Sequence, residues 1–126
     1  MRSEIDAGLE LVRTLDQAKF GVRAALWLYS GETESWRFII AVGGGPEAVS
    51  KSYLAAAGIL SRWKEDNAQS LPILDLARVK FVGMQDMLIK GLSPIIKIPS
   101  LGEVRFSNNV VNGIYVEDAL IHRLAA

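Results

Sequence analysis

The sequence predicts a small α+β fold in which helices pack against a mixed, mostly antiparallel sheet, with the element order α-β-β-α-β-α-β-β. Apolar residues recur at helical spacing in two stretches, residues 3–19 and 46–65. Two runs rich in aromatic and aliphatic residues are typical of paired strands. Asn112-Gly113 between β-branched runs indicates a two-residue hairpin turn near the carboxyl terminus. We expect residues 1–126 to form one globular domain.

Composition excludes several classes of protein. Half of the residues are apolar and 22% are charged, which is unlike a disordered segment. Lysine plus arginine and aspartate plus glutamate each total 14, so nucleic acid is not an expected partner. The sequence has no cysteine, which excludes disulfides and thiolate metal sites and suits the cytoplasm. Acidic residues near the start and the lack of an apolar run of about 18 residues predict no signal peptide and no membrane span.

The first helix is predicted over residues 3–19. Ser3 and Asp6 suit its amino-terminal turn. Apolar residues recur every three or four positions along one stripe, at Ile5, Leu9, Val12 and Leu15. Gly21 is placed to end the helix.

Residues 22–29 and 36–42 are predicted to form an antiparallel hairpin. If Tyr29 lies opposite Trp36, then Trp27 faces Phe38 on one side of the ribbon, and aliphatic residues fill the other side. Because both sides are apolar, we expect these strands to be central in the sheet, covered twice or buried in an oligomer. We therefore expect a homodimer.

The remaining elements follow from shorter patterns. Pro46 suits the first position of a second helix that ends near Glu65. Residues 115–125 fit both a strand and a helix, and the pattern leaves the choice open. The other predicted elements are a polar connector at 66–72, a strand within 73–82 and best placed at 78–82, a helix over 85–92, a rigid segment from Pro94 to Pro99 that is an edge strand at best, and a closing hairpin of 103–111 with 114 onwards.

Polar residues concentrate in the segment 105–118, which is the candidate binding surface. Arginine and asparagine can present paired donors and acceptors to a carboxylate, a peptide backbone or a base edge. The alternative is structural, because asparagine caps turns and tolerates left-handed backbone. The candidate residues of this kind are Arg105, Asn108, Asn109, Asn112 and Tyr115.

Glu117, Asp118 and His122 are the candidates for metal or acid–base chemistry. Carboxylates can hold magnesium, and a histidine can act as a general base. Glu117 and Asp118 are adjacent, however, so their side chains diverge and do not readily share one ion. Solvated acids and an ordinary histidine are the structural alternatives. The further carboxylates that could join such a site are Asp75, Asp86 and Glu103.

The junction Gly43-Gly44-Gly45-Pro46 has the glycine content of a phosphate-binding turn at a helix amino terminus. It lacks the Lys-Ser/Thr pair of a P-loop and the spacing of a dinucleotide-binding motif. Glu47 would repel a phosphate. The sequence therefore favours a flexible connection between strand and helix.

These observations predict a small cytoplasmic protein that acts as a non-enzymatic interaction or regulatory module and forms a homodimer. The contact surface is expected at the 105–118 hairpin or the aromatic 27–38 hairpin. No cofactor and no resident metal are expected, and no catalytic residue is assigned. The alternative is a metal-dependent hydrolase or nuclease that uses Glu117, Asp118 or Glu103 with His122.

Overall fold

The computed structural model describes residues 2–66 and 74–125. It contains a mixed five-stranded sheet with helices on both sides, which confirms the predicted fold class and element order. Within the described residues, no helix combines the length and apolar character needed to cross a membrane. The elements are α1 (Arg2–Gln17), β1 (Val22–Ser30), β2 (Ser35–Val42), α2 (Gly45–Asp66), β3 (Val79–Gly83), α3 (Met87–Leu92), β4 (Val104–Val111) and β5 (Ile114–Leu124).

The hairpin of β1 and β2 has the predicted register. Tyr29 pairs with Trp36, and Trp27 pairs with Phe38. The Trp27 and Phe38 rings are fully buried with their centroids 4.8 Å apart. This aromatic pair therefore belongs to the core, and the inner part of the hairpin is closed to a partner.

Two hydrophobic cores lie on opposite sides of the sheet. On the α1/α2 face, α1 and α2 cover Trp27, Phe38 and Ile40. On the α3 face, α3 covers the alternate residues Leu26 and Ile39. The chain thus buries both faces of its central strands by itself, which explains why they are apolar on both sides. The homodimer stays a prediction, and it must use another surface.

The sheet has the strand order β3-β2-β1-β5-β4. β2 and β3 are parallel, and the other neighbouring pairs are antiparallel. The chain leaves β2 for α2 on one face and leaves β3 for α3 on the other. These two connections consequently diverge at the carboxyl ends of β2 and β3.

The structure resolves the assignments that the sequence left open. Residues 115–125 are predominantly strand, because β5 is hydrogen-bonded to β1 on one side and to β4 on the other. The Pro94–Pro99 segment makes only an isolated bridge, between Ile98 and Leu124, and it packs on the α3 face. Of the predicted connector 66–72, Asp66 ends α2 and the rest lies outside the described residues.

The two edge strands differ. β3 is five residues long, and its Phe81 N–H donates a hydrogen bond to the Tyr53 hydroxyl of α2 at 3.0 Å. The Tyr53 and Phe81 rings also meet edge to face at 4.9 Å. β4 is eight residues long, and only Val111 is buried. At the β3 edge one backbone N–H is therefore bound by a side chain of α2, whereas the β4 edge is largely exposed.

Candidate functional site

All eight residues proposed from the sequence lie on the β4–β5 hairpin, but they divide into separate local contacts. Arg105 and Asp118 satisfy each other, since Nε of the guanidinium donates to Oδ1 at 2.7 Å and a second nitrogen donates to Oδ2. The hydrogen bond from Arg105 lowers the pKa of Asp118, and the same contact raises the pKa of Arg105. The guanidinium also lies over the Trp36 ring, 5.9 Å from its centroid.

The three asparagines serve the conformation of the hairpin. Asn108 and Asn112 have positive φ angles of 53° and 51°, which asparagine tolerates well. Asn108 accepts a hydrogen bond from the Tyr115 hydroxyl at 3.0 Å. Asn112 donates to the Met87 carbonyl at 3.0 Å and so ties the turn to α3. Asn109 donates to the carbonyl two residues before it at 3.0 Å.

Glu117 and Tyr115 line a shallow groove of about 590 Å³ beside the β1–β2 turn. The Glu117 carboxylate lies against the backbone of Gly31, where a Cβ would stand 2.9 Å from Oε2. Only a glycine at position 31 leaves this room without a shift of the carboxylate.

His122 lies in the protein core, where its contacts include the backbone and a core aromatic ring. Its ring is fully buried, and Nδ1 donates to the Gly102 carbonyl at 2.7 Å. The ring lies edge-on to Phe38 with the centroids 6.4 Å apart. This burial separates His122 from the exposed Glu117 carboxylate.

The candidates for metal chemistry do not assemble into a centre. Across residues 2–66 and 74–125, no three histidine, cysteine, aspartate or glutamate side chains are grouped so that they could hold one ion. Asp118 is bound to Arg105, and Glu117 lies at the β1–β2 turn. The hairpin therefore brings Asn108, Tyr115 and Glu117 near one groove, while Asn112 and His122 make contacts elsewhere.

A larger cleft lies at the carboxyl ends of β2 and β3. It has a volume of about 770 Å³ and is bounded by the glycine-rich junction 43–46 on one side and by residues 83–86 on the other. The apolar side chains of its walls are Val42, Pro46, Val49, Phe81, Val82 and Met84. The sequence indicated only the glycine junction. Residues 83–86, which form the second wall, lie near that junction because β3 pairs with β2, a long-range contact.

The polar side chains of this cleft are largely engaged. The Asp86 carboxylate accepts hydrogen bonds from the Leu88 and Ile89 N–H groups at 3.1 and 3.3 Å, which caps α3. Gln85 accepts a hydrogen bond from Lys90 at 3.2 Å. The third polar side chain that lines the cleft is Ser50, and the lining residues include neither lysine nor arginine.

No protein-family model, curated protein or solved structure matches this chain. The indications of function lie in the surfaces of the chain itself. Two of them stand out in the described part of the chain. They are the exposed edge of β4 and the cleft at the ends of β2 and β3.

Proposed function

We propose that this protein is a non-enzymatic interaction module that forms a homodimer by pairing β4 of one copy with β4 of a second copy. The observation that supports this proposal is the exposed edge of β4, in which seven of eight residues are not buried. The outer edge of such a strand offers backbone N–H and C=O groups to another strand. Pairing between copies would satisfy the groups that β4 leaves open and extend the sheet; the Ser107 carbonyl already accepts a hydrogen bond from the Asn109 side chain.

The composition of β4 suits pairing with itself. The strand contains no proline and no lysine, which are residues that natural edge strands use to prevent pairing. Its one charged residue, Arg105, is neutralised by Asp118. Val104 and Val110 are 39% and 68% exposed and supply apolar surface. Two identical strands that pair antiparallel about a two-fold axis form a self-complementary contact.

The opposite edge of the sheet supports the choice of β4. β3 is shorter, carries Lys80, and has its Phe81 N–H bound by the Tyr53 hydroxyl. Each of these features hinders strand addition at β3. The zero net charge of the chain also leaves little repulsion between copies.

A single strand pair is a small interface, so the dimer should be weak. Interfaces below about 1,200 Å² belong to the transient class, and we expect a dissociation constant on the order of 10 μM. Sedimentation velocity with light scattering across about 5 to 500 μM covers this range. A molecular mass that stays at 13.8 kDa throughout would refute the proposal.

A matched pair of variants locates the contact. Val110→Lys places a charge on β4, and Leu54→Lys makes the same change at a side chain of α2 that is 76% exposed. We expect Val110→Lys to weaken dimerisation at least about tenfold, because the pairing strand gains a charge. Leu54→Lys should behave like the wild type. Equal effects of the two changes would show that the contact is not at β4.

Calorimetric titration with Mg²⁺, Mn²⁺ and Zn²⁺ separates this proposal from the metal-dependent hydrolase hypothesis. Saturable binding that is lost in Glu117→Ala would favour the hydrolase, because that carboxylate would then be a ligand. The interaction module requires no such binding.

A further inference from the structure

The cleft at the ends of β2 and β3 lies at a special point of the topology. The two strands are parallel neighbours, and their connections lead to α2 on one face and to α3 on the other. Where connections diverge in this way, a crevice opens outside the carboxyl ends of the strands, and open α/β sheets bind their ligands in such crevices. The 770 Å³ cleft occupies this position, and its volume falls within the range of small-molecule sites.

From this position and from its lining, we infer that the cleft binds a small, uncharged heteroaromatic molecule that carries a hydrogen-bond acceptor. Part of the cleft wall is bare backbone. Gly44 and Gly45 have positive φ angles of 92° and 78°, and an added Cβ at Gly45 or Gly83 would meet nothing within 4 Å. A flat ring can therefore approach the backbone between the apolar side chains.

The charges around the cleft decide the ligand class. The lining holds the Asp86 carboxylate and no cationic side chain, and Glu47 lies next to Pro46 in the first turn of α2. This arrangement disfavours phosphate and other anions despite the glycine-rich junction. Pro46 has no N–H, but the N–H groups of the other residues in the first turn of α2 have no acceptor within the helix, so they can donate to a carbonyl oxygen or a ring nitrogen.

Quinoline is a suitable probe, because it is neutral at pH 7 and carries one acceptor nitrogen. We expect a titration followed by amide NMR to give saturable shifts at residues 42–46 and 81–86. A ring of this size in an open cleft should bind with a dissociation constant on the order of 1 mM. Inorganic phosphate and benzoate are the anionic controls, and they should leave the chemical shifts of these amides unchanged. Shifts with phosphate and none with quinoline would overturn the ligand class.

Gly83→Val is the variant that tests the site. The new side chain enters open space at the end of β3, where valine suits a strand, and it should weaken quinoline binding at least tenfold by filling the cleft. Gly58→Val makes the same change in open space on α2 and should bind quinoline like the wild type. Unchanged binding in Gly83→Val, or shifts that map away from the cleft, would refute the inference.

Ser50→Phe provides a second variant that does not alter the sheet. Ser50 is an exposed residue of α2 that lines the cleft, and phenylalanine there should also weaken quinoline binding. Binding that survives in a folded Ser50→Phe protein would count against the site. The result is independent of dimerisation, because β4 lies at the opposite edge of the sheet from β3.

Discussion

Replacing Gly91 with alanine tests how α3 covers its face of the sheet. An added Cβ at this position would lie 2.4 Å from Cγ1 of Val111 and 2.8 Å from Cβ of Asn112. Val111 is buried and β-branched, so it cannot rotate away freely. Forcing a methyl group into a packed contact of this kind costs about 1–3 kcal/mol.

Gly58→Ala is the matched control. Gly58 lies in α2, where an added Cβ meets nothing within 4 Å. Alanine is the better helix former by about 0.5–1 kcal/mol, and this gain applies to both variants. The difference in the free energy of unfolding between them therefore isolates the packing cost, about 1–3 kcal/mol.

Urea-induced unfolding followed by tryptophan fluorescence measures this difference. With a slope of about 1–3 kcal/mol per molar urea, the midpoint of Gly91→Ala should fall below that of Gly58→Ala by about 1 M. The slopes should be equal, since the exposed surface is the same. Equal midpoints would refute the close approach of α3 to the β4–β5 hairpin, and with it our account of the α3 face.

Three further measurements probe the same fold. Ile89→Ala should lower the free energy of unfolding by about 2–5 kcal/mol in urea titrations, because the side chain is fully buried. Tyr53→Phe should cost about 0.5–1.5 kcal/mol in the same assay, since Phe81 loses its acceptor. Asp118→Asn should be less stable than the wild type at pH 7. Arg105 lowers the pKa of Asp118 in the folded state, so the ion pair is lost as the carboxylate becomes protonated. The difference in urea midpoint between the wild type and Asp118→Asn should therefore become smaller below about pH 4. A difference that does not change with pH would contradict the ion pair.

The sequence predicted the central hairpin well, because its register depends on local features. A six-residue polar loop and aromatic residues at alternate positions specify that Trp27 lies opposite Phe38, and the structure confirms this pairing. Apolar residues on both sides of the strands predicted burial from both sides without deciding between helices of the chain and a second copy; α1, α2 and α3 provide it within the chain.

Local sequence patterns do not predict which strands pair when they are far apart in the chain. Residues 115–125 fit a helix and a strand equally in sequence, and hydrogen bonds to β1 and β4 favour the strand. The sequence likewise predicted only one wall of the cleft. Its Gly43–Pro46 wall is a recognisable motif, whereas residues 83–86 join it only because β3 pairs parallel to β2.

The polar residues of the candidate site show why proximity in sequence is a poor guide to a shared pocket. Successive side chains of a strand point to opposite faces, so residues 105–122 are distributed around β4 and β5. Asn112 contacts α3, His122 enters the core, and Asp118 pairs with Arg105. The turn-forming role of asparagine accounts for Asn108 and Asn112, as their positive φ angles indicate.

The hydroxyl of Tyr53 bears on how many copies could join if β4 pairs between copies as proposed. A sheet with two open edges can add neighbours at both and grow into a fibre, whereas one with a single open edge is complete after one addition. By occupying the Phe81 N–H, the tyrosine hinders strand addition at the β3 edge. If β4 pairs between copies as proposed, removing that hydroxyl would free the Phe81 N–H for a second contact and allow the dimer to grow further.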